Sequence, residues 1–216
     1  MKERLFIKKA KEQIMLGEAI RKEFAGVKCG QIEVAHTPLG VRIMIHTSSP
    51  GLVIGHGGEK IREVSEKLRT QFGLENPQID VQKISNPDLD PMIVSQSIAA
   101  ALERGMNVKK IGHYYLDRVM RAGAIGCELK IQGKLGGEKA RSERFTDGYI
   151  KKCGEPAMRD VIKGHAVALP KLGKIGVTAS IMIVHSDRKI TVVRPEPVAE
   201  ATPAEGAAPA AVEEKK

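Results

Sequence analysis

Tryptophan is absent from this 216-residue chain, and with three Tyr and four Phe the aromatics amount to 3%. Proteins that read nucleic acid by stacking bases need aromatic platforms, so this scarcity argues against RRM or OB-type recognition and favours backbone contacts. The three cysteines, Cys29, Cys127 and Cys153, are odd in number and widely spaced. That pattern gives neither a disulfide framework nor a zinc site, and all three are expected as reduced thiols. No apolar run approaches a membrane span, and Met1-Lys2-Glu3-Arg4 opens a charged amphipathic helix rather than a signal-peptide core. Its apolar stripe is sized to cover a neighbouring sheet rather than to lie on a membrane. A nucleotide loop of the form Gly-x-x-x-x-Gly-Lys-Ser/Thr and a nucleophile elbow are both missing. Asp80, Asp88, Asp90, Asp117, Asp147 and Asp160 present no set that would hold a catalytic metal. The expectation is a protein without catalytic residues, metal or cofactor.

Positive charge is what the chain has in excess. The net charge is +9, and residues 195–216 hold five glutamates against two lysines, which leaves +12 on the remainder. A body that basic seeks polyanions. The tail itself is rich in Ala, Glu and Pro with little to bury, so disorder is expected over 191–216.

The most informative stretch is Leu52-Val53-Ile54-Gly55-His56-Gly57-Gly58-Glu59-Lys60-Ile61. Two glycines bracketing two residues, between an apolar run and a helical pattern, build a turn that a phosphate backbone can approach, beside the N–H groups that open the next helix. A plain helix-capping turn has the same letters, so the context decides. Glu3 to Phe24 reads as a helix with Phe6, Ala10, Ile14, Ala19 and Ile20 along one side. Ile32–Thr37 and Val41–Thr47 read as a hairpin around Pro38-Leu39-Gly40. Gly58 to Phe72 is a helix carrying Ile61, Val64, Leu68 and Phe72 inward, stopped by Gly73, and Ile79-Asp80-Val81-Gln82 alternates as a strand. The order α-β-β-α-α-β resembles the type II KH domain of ribosomal proteins, in which the Gly-x-x-Gly loop clamps single-stranded RNA.

Asn86-Pro87-Asp88-Leu89-Asp90-Pro91 then reads as a hinge-like boundary, with Asp90 capping a helix and Pro91 in its first turn. Met92–Arg104 is an apolar helix ended by Gly105, and Asn107 caps a second from Val108 to Ala122, closed by Gly123. Strands are expected over Glu128–Gln132, Glu143–Ile150, Arg159–Ala168 and Ile175–Val184. The fold class is therefore α+β: a KH domain followed by two helices packed on a mixed sheet. The division is 1–16, first part of the first helix; 17–86, KH domain; 87–91, linker; 92–190, C-terminal domain; 191–216, tail. His36, His46, His165 and His185 read as strand-surface residues, and Tyr114-Tyr115 as a pair with one ring inward.

Gly133-Lys134-Leu135-Gly136-Gly137-Glu138-Lys139-Ala140-Arg141, followed by Glu143-Arg144 and by Lys174-Ile175-Gly176-Val177, resembles the signature of the C-terminal domain of the small-subunit ribosomal protein three family. The likeness covers about residues 3 to 185, and the tail and N-terminus look more archaeal than bacterial. It implies a cytoplasmic, ribosome-bound constituent of the small-subunit head that binds ribosomal RNA and lines the channel through which messenger RNA enters. Small-subunit proteins ten and fourteen are the implied protein neighbours, with no membrane and no homo-oligomer. By position, the paired cations facing incoming messenger fall on Lys109 and Lys110, with His113 one turn on, where bacterial members carry another basic residue. Physical reasoning agrees, because two cations in a helix's first turn oppose its dipole at about 0.3 to 1 kcal/mol each, and a polyanion reverses the sign.

The clamp candidates are Gly55, His56, Gly57, Gly58, Lys60 and Arg62. His56 and Gly57 supply no fixed cation where active KH loops favour one, so autonomous single-strand binding should be poor. The ribosomal RNA candidates are Lys134, Lys139, Arg141 and Arg144, which converge around the Gly136-Gly137 bend. The runner-up function is a free-standing KH-type regulator of single-stranded RNA; a nuclease with a DNA-repair side role ranks below it. Truncation at Arg194 is expected to leave RNA binding and incorporation into small subunits intact, and loss of incorporation in a sucrose gradient would refute a dispensable tail.

Overall fold

The computed structural model describes residues 2–24, 26–37, 40–74 and 77–183. His185 and the expected tail lie outside them, as does the side chain of His36. The N-terminal half runs α1 (Lys2–Glu23), β1 (Cys29–Thr37), β2 (Gly40–Thr47), α2 (Pro50–Ile54), a 3-10 turn over His56–Gly58, α3 (Glu59–Phe72) and β3 (Gln78–Lys83). Its sheet has the order β1-β2-β3, with β1 antiparallel and β3 parallel to β2. The parallel pair needs a crossover, and α2 with α3 supplies it. This is the α-β-β-α-α-β order read from the sequence.

The core of this half is Leu16 and Ile20 from α1, Phe24 just past its end, Ile43 and Ile45 from β2, Val53, and Val64 and Leu68 from α3. Spacing of four places Leu16, Ile20 and Phe24 on one stripe. The expected stripe needs correcting at two positions: Phe6 is 77% exposed and Ile14 63%. Ile14 lies about 120° around the helix from Ile20, whereas Phe6 is on the side of the buried face but nearly three turns before Leu16, the first core residue. Thr47 is fully buried yet satisfied, its hydroxyl donating to the Lys28 carbonyl at 3.0 Å and accepting from the Ser49 N–H at 3.2 Å.

The second half comprises α4 (Pro91–Glu103), α5 (Val108–Arg121), β4 (Gly126–Gly133), β5 (Arg141–Gly148), α6 (Gly154–Arg159), β6 (Val161–Ala168) and β7 (Ile175–Met182). Asp90 and Asn107 cap α4 and α5 as expected, their side chains accepting from the Met92 and Lys109 N–H groups at 2.8 and 3.0 Å. The sheet order is β5-β4-β7-β6 and every ladder is antiparallel. The expectation of a mixed sheet here is corrected: both long helices precede the first strand, so no long helix remains to make a parallel crossover. A further correction is α6, Gly154–Arg159, which was not expected and takes Arg159 from the start of the strand read over Arg159–Ala168; six residues are too few to show helical periodicity. The inward face, Cys127, Leu129, Ile131, Phe145, Val177, Ala179 and Ile181, packs on Ile98, Leu102, Ile111, Leu116 and Val119. Gly112 lets α5 approach β5, because a Cβ there would stand 2.5 Å from the Phe145 ring.

Both halves belong to one compact unit, Met1–Ser186. The segment read as hinge-like is gripped from two sides. A Cβ on Gly30 of β1 would collide with the Asp90 carboxylate, and one on Gly164 of β6 with the Pro91 backbone. Gln96 of α4 adds a hydrogen bond from its amide to the Cys29 carbonyl at 2.8 Å. Gly164→Ala is therefore expected to cost about 1 to 3 kcal/mol by overpacking. Gly17→Ala in α1, where nothing lies within 4 Å of the added Cβ, should instead stabilise by about 0.5 to 1 kcal/mol. Denaturant melts of the two variants check this, and shifts of the same sign would contradict the close seat assigned to Pro91.

Candidate nucleic-acid interface

The loop between α2 and α3 is built from backbone conformations that side-chain-bearing residues avoid. Gly55 has φ 75° and ψ −177°, and a Cβ on it would meet the Lys60 Cβ at 2.7 Å. Gly58 caps α3 at φ 79°, with no side-chain hydrogen bond to the helix's first N–H groups and open space where a Cβ would be. His56, Gly57 and Arg62 are exposed. Lys60 is placed differently from a clamp cation. It is half-buried, and its ammonium lies 5.6 Å from the centroid of the Phe24 ring, a cation–π position at the end of α1. That leaves Arg62, which has no ion pair among the described residues, as the available cation of the α3 start.

Lys109 and Lys110 are exposed in the first turn of α5 and make no ion pair among the described residues. His113, one turn on, is also exposed, and its ring meets Phe145 edge-on, centroids 5.1 Å apart at 76°, at the flank of the α5–β5 contact. The three expected residues thus comprise two untethered lysines and an exposed imidazole that also packs.

Lys134 and Lys139 are exposed in the loop between β4 and β5, and Arg141 opens β5 opposite Gly133. Arg144 departs from the expected cluster: its guanidinium binds Glu128 at 2.9 Å, and Lys152 binds the same carboxylate at 3.1 Å. Strand alternation puts Arg144 on the sheet face away from the helices, directly across from Lys130. Lys163 of β6, paired with Ser180, shares that face. Sequence reasoning missed Lys130, Lys152 and Lys163. The signal for Lys130 was present in Leu129-Lys130-Ile131, whose alternation turns the lysine away from the core, but placing it beside Arg144 needs the β4–β5 register.

Two of the three cysteines are buried, and five of the six aspartates among the described residues have a partner. Burial pushes the Cys127 thiol up to about 12 and also raises Cys29, so both stay protonated. Asp80 pairs with Arg42 at 2.5 Å, Asp88 with Arg118 at 2.8 Å and Asp160 with Lys151 at 3.1 Å. Asp90 caps α4, and Asp147 accepts from the Gly148 N–H at 2.8 Å. Among the described residues no group of three or more His, Cys, Asp and Glu could hold a metal ion, and no helix is long and apolar enough to cross a membrane.

Comparison with known proteins bears on both halves. The KH domain family matches residues 15–89, and the family described as ribosomal protein S3, C-terminal domain, matches residues 98–181. Small ribosomal subunit protein uS3 of Methanocaldococcus jannaschii is 46% identical over 182 residues, covering 84% of this chain and 88% of that protein. The protein of the same name from Methanoculleus marisnigri is 39% identical over 199 residues, 90% of this chain and 84% of its own length. That of Methanococcus vannielii is 44% identical over 182 residues, 84% and 86% respectively. With both halves matched in order and identity sustained across most of each relative, the chain belongs to the family of small ribosomal subunit protein uS3.

Proposed function

We propose that this protein is a structural constituent of the small ribosomal subunit that binds ribosomal RNA and presents Lys109 and Lys110 to messenger RNA where it enters. The observation that carries the reading is the state of those two lysines. They are exposed, have no counter-ion among the described residues, and stand on a helix start whose own dipole disfavours them. A phosphate backbone removes that penalty. The capped start of α5 and the close α5–β5 contact at Gly112 give the pair a fixed base.

Ribosomal RNA is assigned to two surfaces. One is the loop with Lys134 and Lys139 beside Arg141; the other is the outer sheet face with Lys130, Arg144, Lys152 and Lys163. Glu128, its side chain 15% exposed, holds both Arg144 and Lys152, whose own side chains are more than half exposed, so RNA phosphates can reach the two cations from the solvent side. In the KH half, residues 17–86, Gly55, Gly57, Gly58 and Arg62 provide a backbone cradle for preformed RNA. Proteins ten and fourteen of the small subunit are the proposed neighbours, and the site of action is the cytoplasmic ribosome. No reaction is assigned. A free-standing regulator would need the KH loop to hold single strands unaided, and with Lys60 turned to Phe24 and His56-Gly57 in the loop, Arg62 is left as the one untethered lysine or arginine of Gly55–Arg62 to do so.

Small subunits carrying Lys109→Ala and Lys110→Ala together are expected to assemble normally. Single-stranded messenger should bind them with a plot of log affinity against log salt shallower by about 1.4, at about 0.7 per lost phosphate contact. An unchanged slope, measured by filter binding at several salt concentrations, would remove these lysines from the messenger path.

A further inference from the structure

Two of the chain's three tyrosines lie one turn beyond the lysine pair, around a cleft of about 450 Å³. That volume falls within the roughly 300 to 1,000 Å³ of small-ligand pockets. Met106, Ile111, Tyr114 and Tyr115 supply most of its wall, and Lys110 is its only charged lining residue. Tyr115 is half-buried against the core, and burial raises its phenol pKa. Tyr114 meets it edge-on, centroids 5.3 Å apart at 85°, yet stays 59% exposed, and Met106 is 51% exposed. Arg118, anchored to Asp88 at 2.8 Å, lies along the same surface as the Tyr114 phenol. The ring is thereby packed at its edge against Tyr115 while much of its surface faces solvent.

An exposed aromatic packed edge-on against its neighbour, with a methionine beside it and an untethered lysine one turn back on the same helix face, its Cβ about 5 to 6 Å away, fits one unpaired nucleotide. The base finds a π-face, and the phosphate finds a cation. We propose that Tyr114 is a stacking platform for a single unpaired base of incoming RNA, whose backbone Lys110 holds. This rests on the messenger-facing reading of Lys109 and Lys110 and adds what that reading lacks, a means of telling single strand from duplex. Lysines attract any phosphate backbone, whereas a base can reach the Tyr114 ring only if it has left its helical stack. Scarcity of aromatics along the sequence argued against base stacking in general; their placement concentrates it at one position.

The test uses small subunits reconstituted with the full chain and two short RNA probes of equal phosphate count, one with bases and one abasic. Tyr114→Ala is expected to weaken the base-bearing probe by about 5- to 150-fold, leaving the abasic probe and the salt slope unchanged, while Tyr114→Phe binds as the parent does. The double lysine variant should weaken both probes alike. In the unaltered protein, a 5-iodouridine probe should crosslink to Tyr114. If Tyr114→Ala moves both probes or neither while the lysine variant acts, the platform is wrong and the messenger reading survives. If the lysine variant is also silent, both fall. A crosslink from Tyr114 to a neighbouring ribosomal protein instead of RNA would make the cleft a protein contact and overturn the proposal.

Discussion

The seating of Asp90-Pro91 between Gly30 and Gly164 is the contact through which the two halves of this molecule become one. Each glycine faces a backbone or carboxylate atom at a separation that leaves no room for a methyl group. The same two residues start α4, since the Asp90 carboxylate caps the helix and Pro91 fills a first-turn position whose N–H would have no intrahelical partner. One dipeptide therefore ends the N-terminal half, nucleates the helix beneath the second sheet and docks β1 against α4. Gln96, two turns along α4, repeats the contact through the Cys29 carbonyl. The KH loop and the α5 cations therefore belong to one compact unit, the arrangement that the proposed docking onto preformed RNA calls for.

The chain's positive charge divides into cations that are engaged and cations that are free. Lys60 lies over an aromatic ring, Arg42 and Arg118 bind single carboxylates, and Arg144 and Lys152 share one. Solvent screens these pairs, so their main effect is to fix where a side chain points. Arg62, Lys109, Lys110, Lys134 and Lys139 have no such tether among the described residues. Net charge alone makes the molecule attractive to any polyanion; the distribution of tethers selects the surfaces on which a phosphate meets a cation without first displacing a carboxylate.

How much of this was legible in the sequence follows from the range of the forces involved. Asp90, Asn107 and Gly73 acted as read, because caps and stops are decided within one turn of the chain. Alternation along the last strand is local in the same way, and Ile175, Val177, Ala179 and Ile181 are indeed core residues of β7. What failed depended on partners distant in sequence. Nothing within α1 shows where the sheet beneath it ends, so Phe6 looked like a core residue. The edge-on packing of His113 was not visible either, because its partner Phe145 lies thirty-two residues later. The antiparallel sheet was missed for a related reason: alternation says which face a residue takes but not which strand lies beside it.

The lysines of α5 show how a local cost can indicate a distant partner. Asn107 already satisfies one orphan N–H of the first turn, so the helix needs no further help there, and two adjacent cations can only weaken it in isolation. Packing does not require them either, because their side chains are exposed while Val108 and Ile111, on either side in sequence, carry the burial. A pair that neither folds the helix nor packs it, and that has no counter-ion among the described residues, makes physical sense once a polyanion stands in front of it. With Tyr114 one turn further along the same helix, the short segment from Lys109 to Tyr114 sets a cation and an aromatic ring side by side, and the proposal takes these as the counterparts of the phosphate and the open base that a single RNA strand offers in repetition.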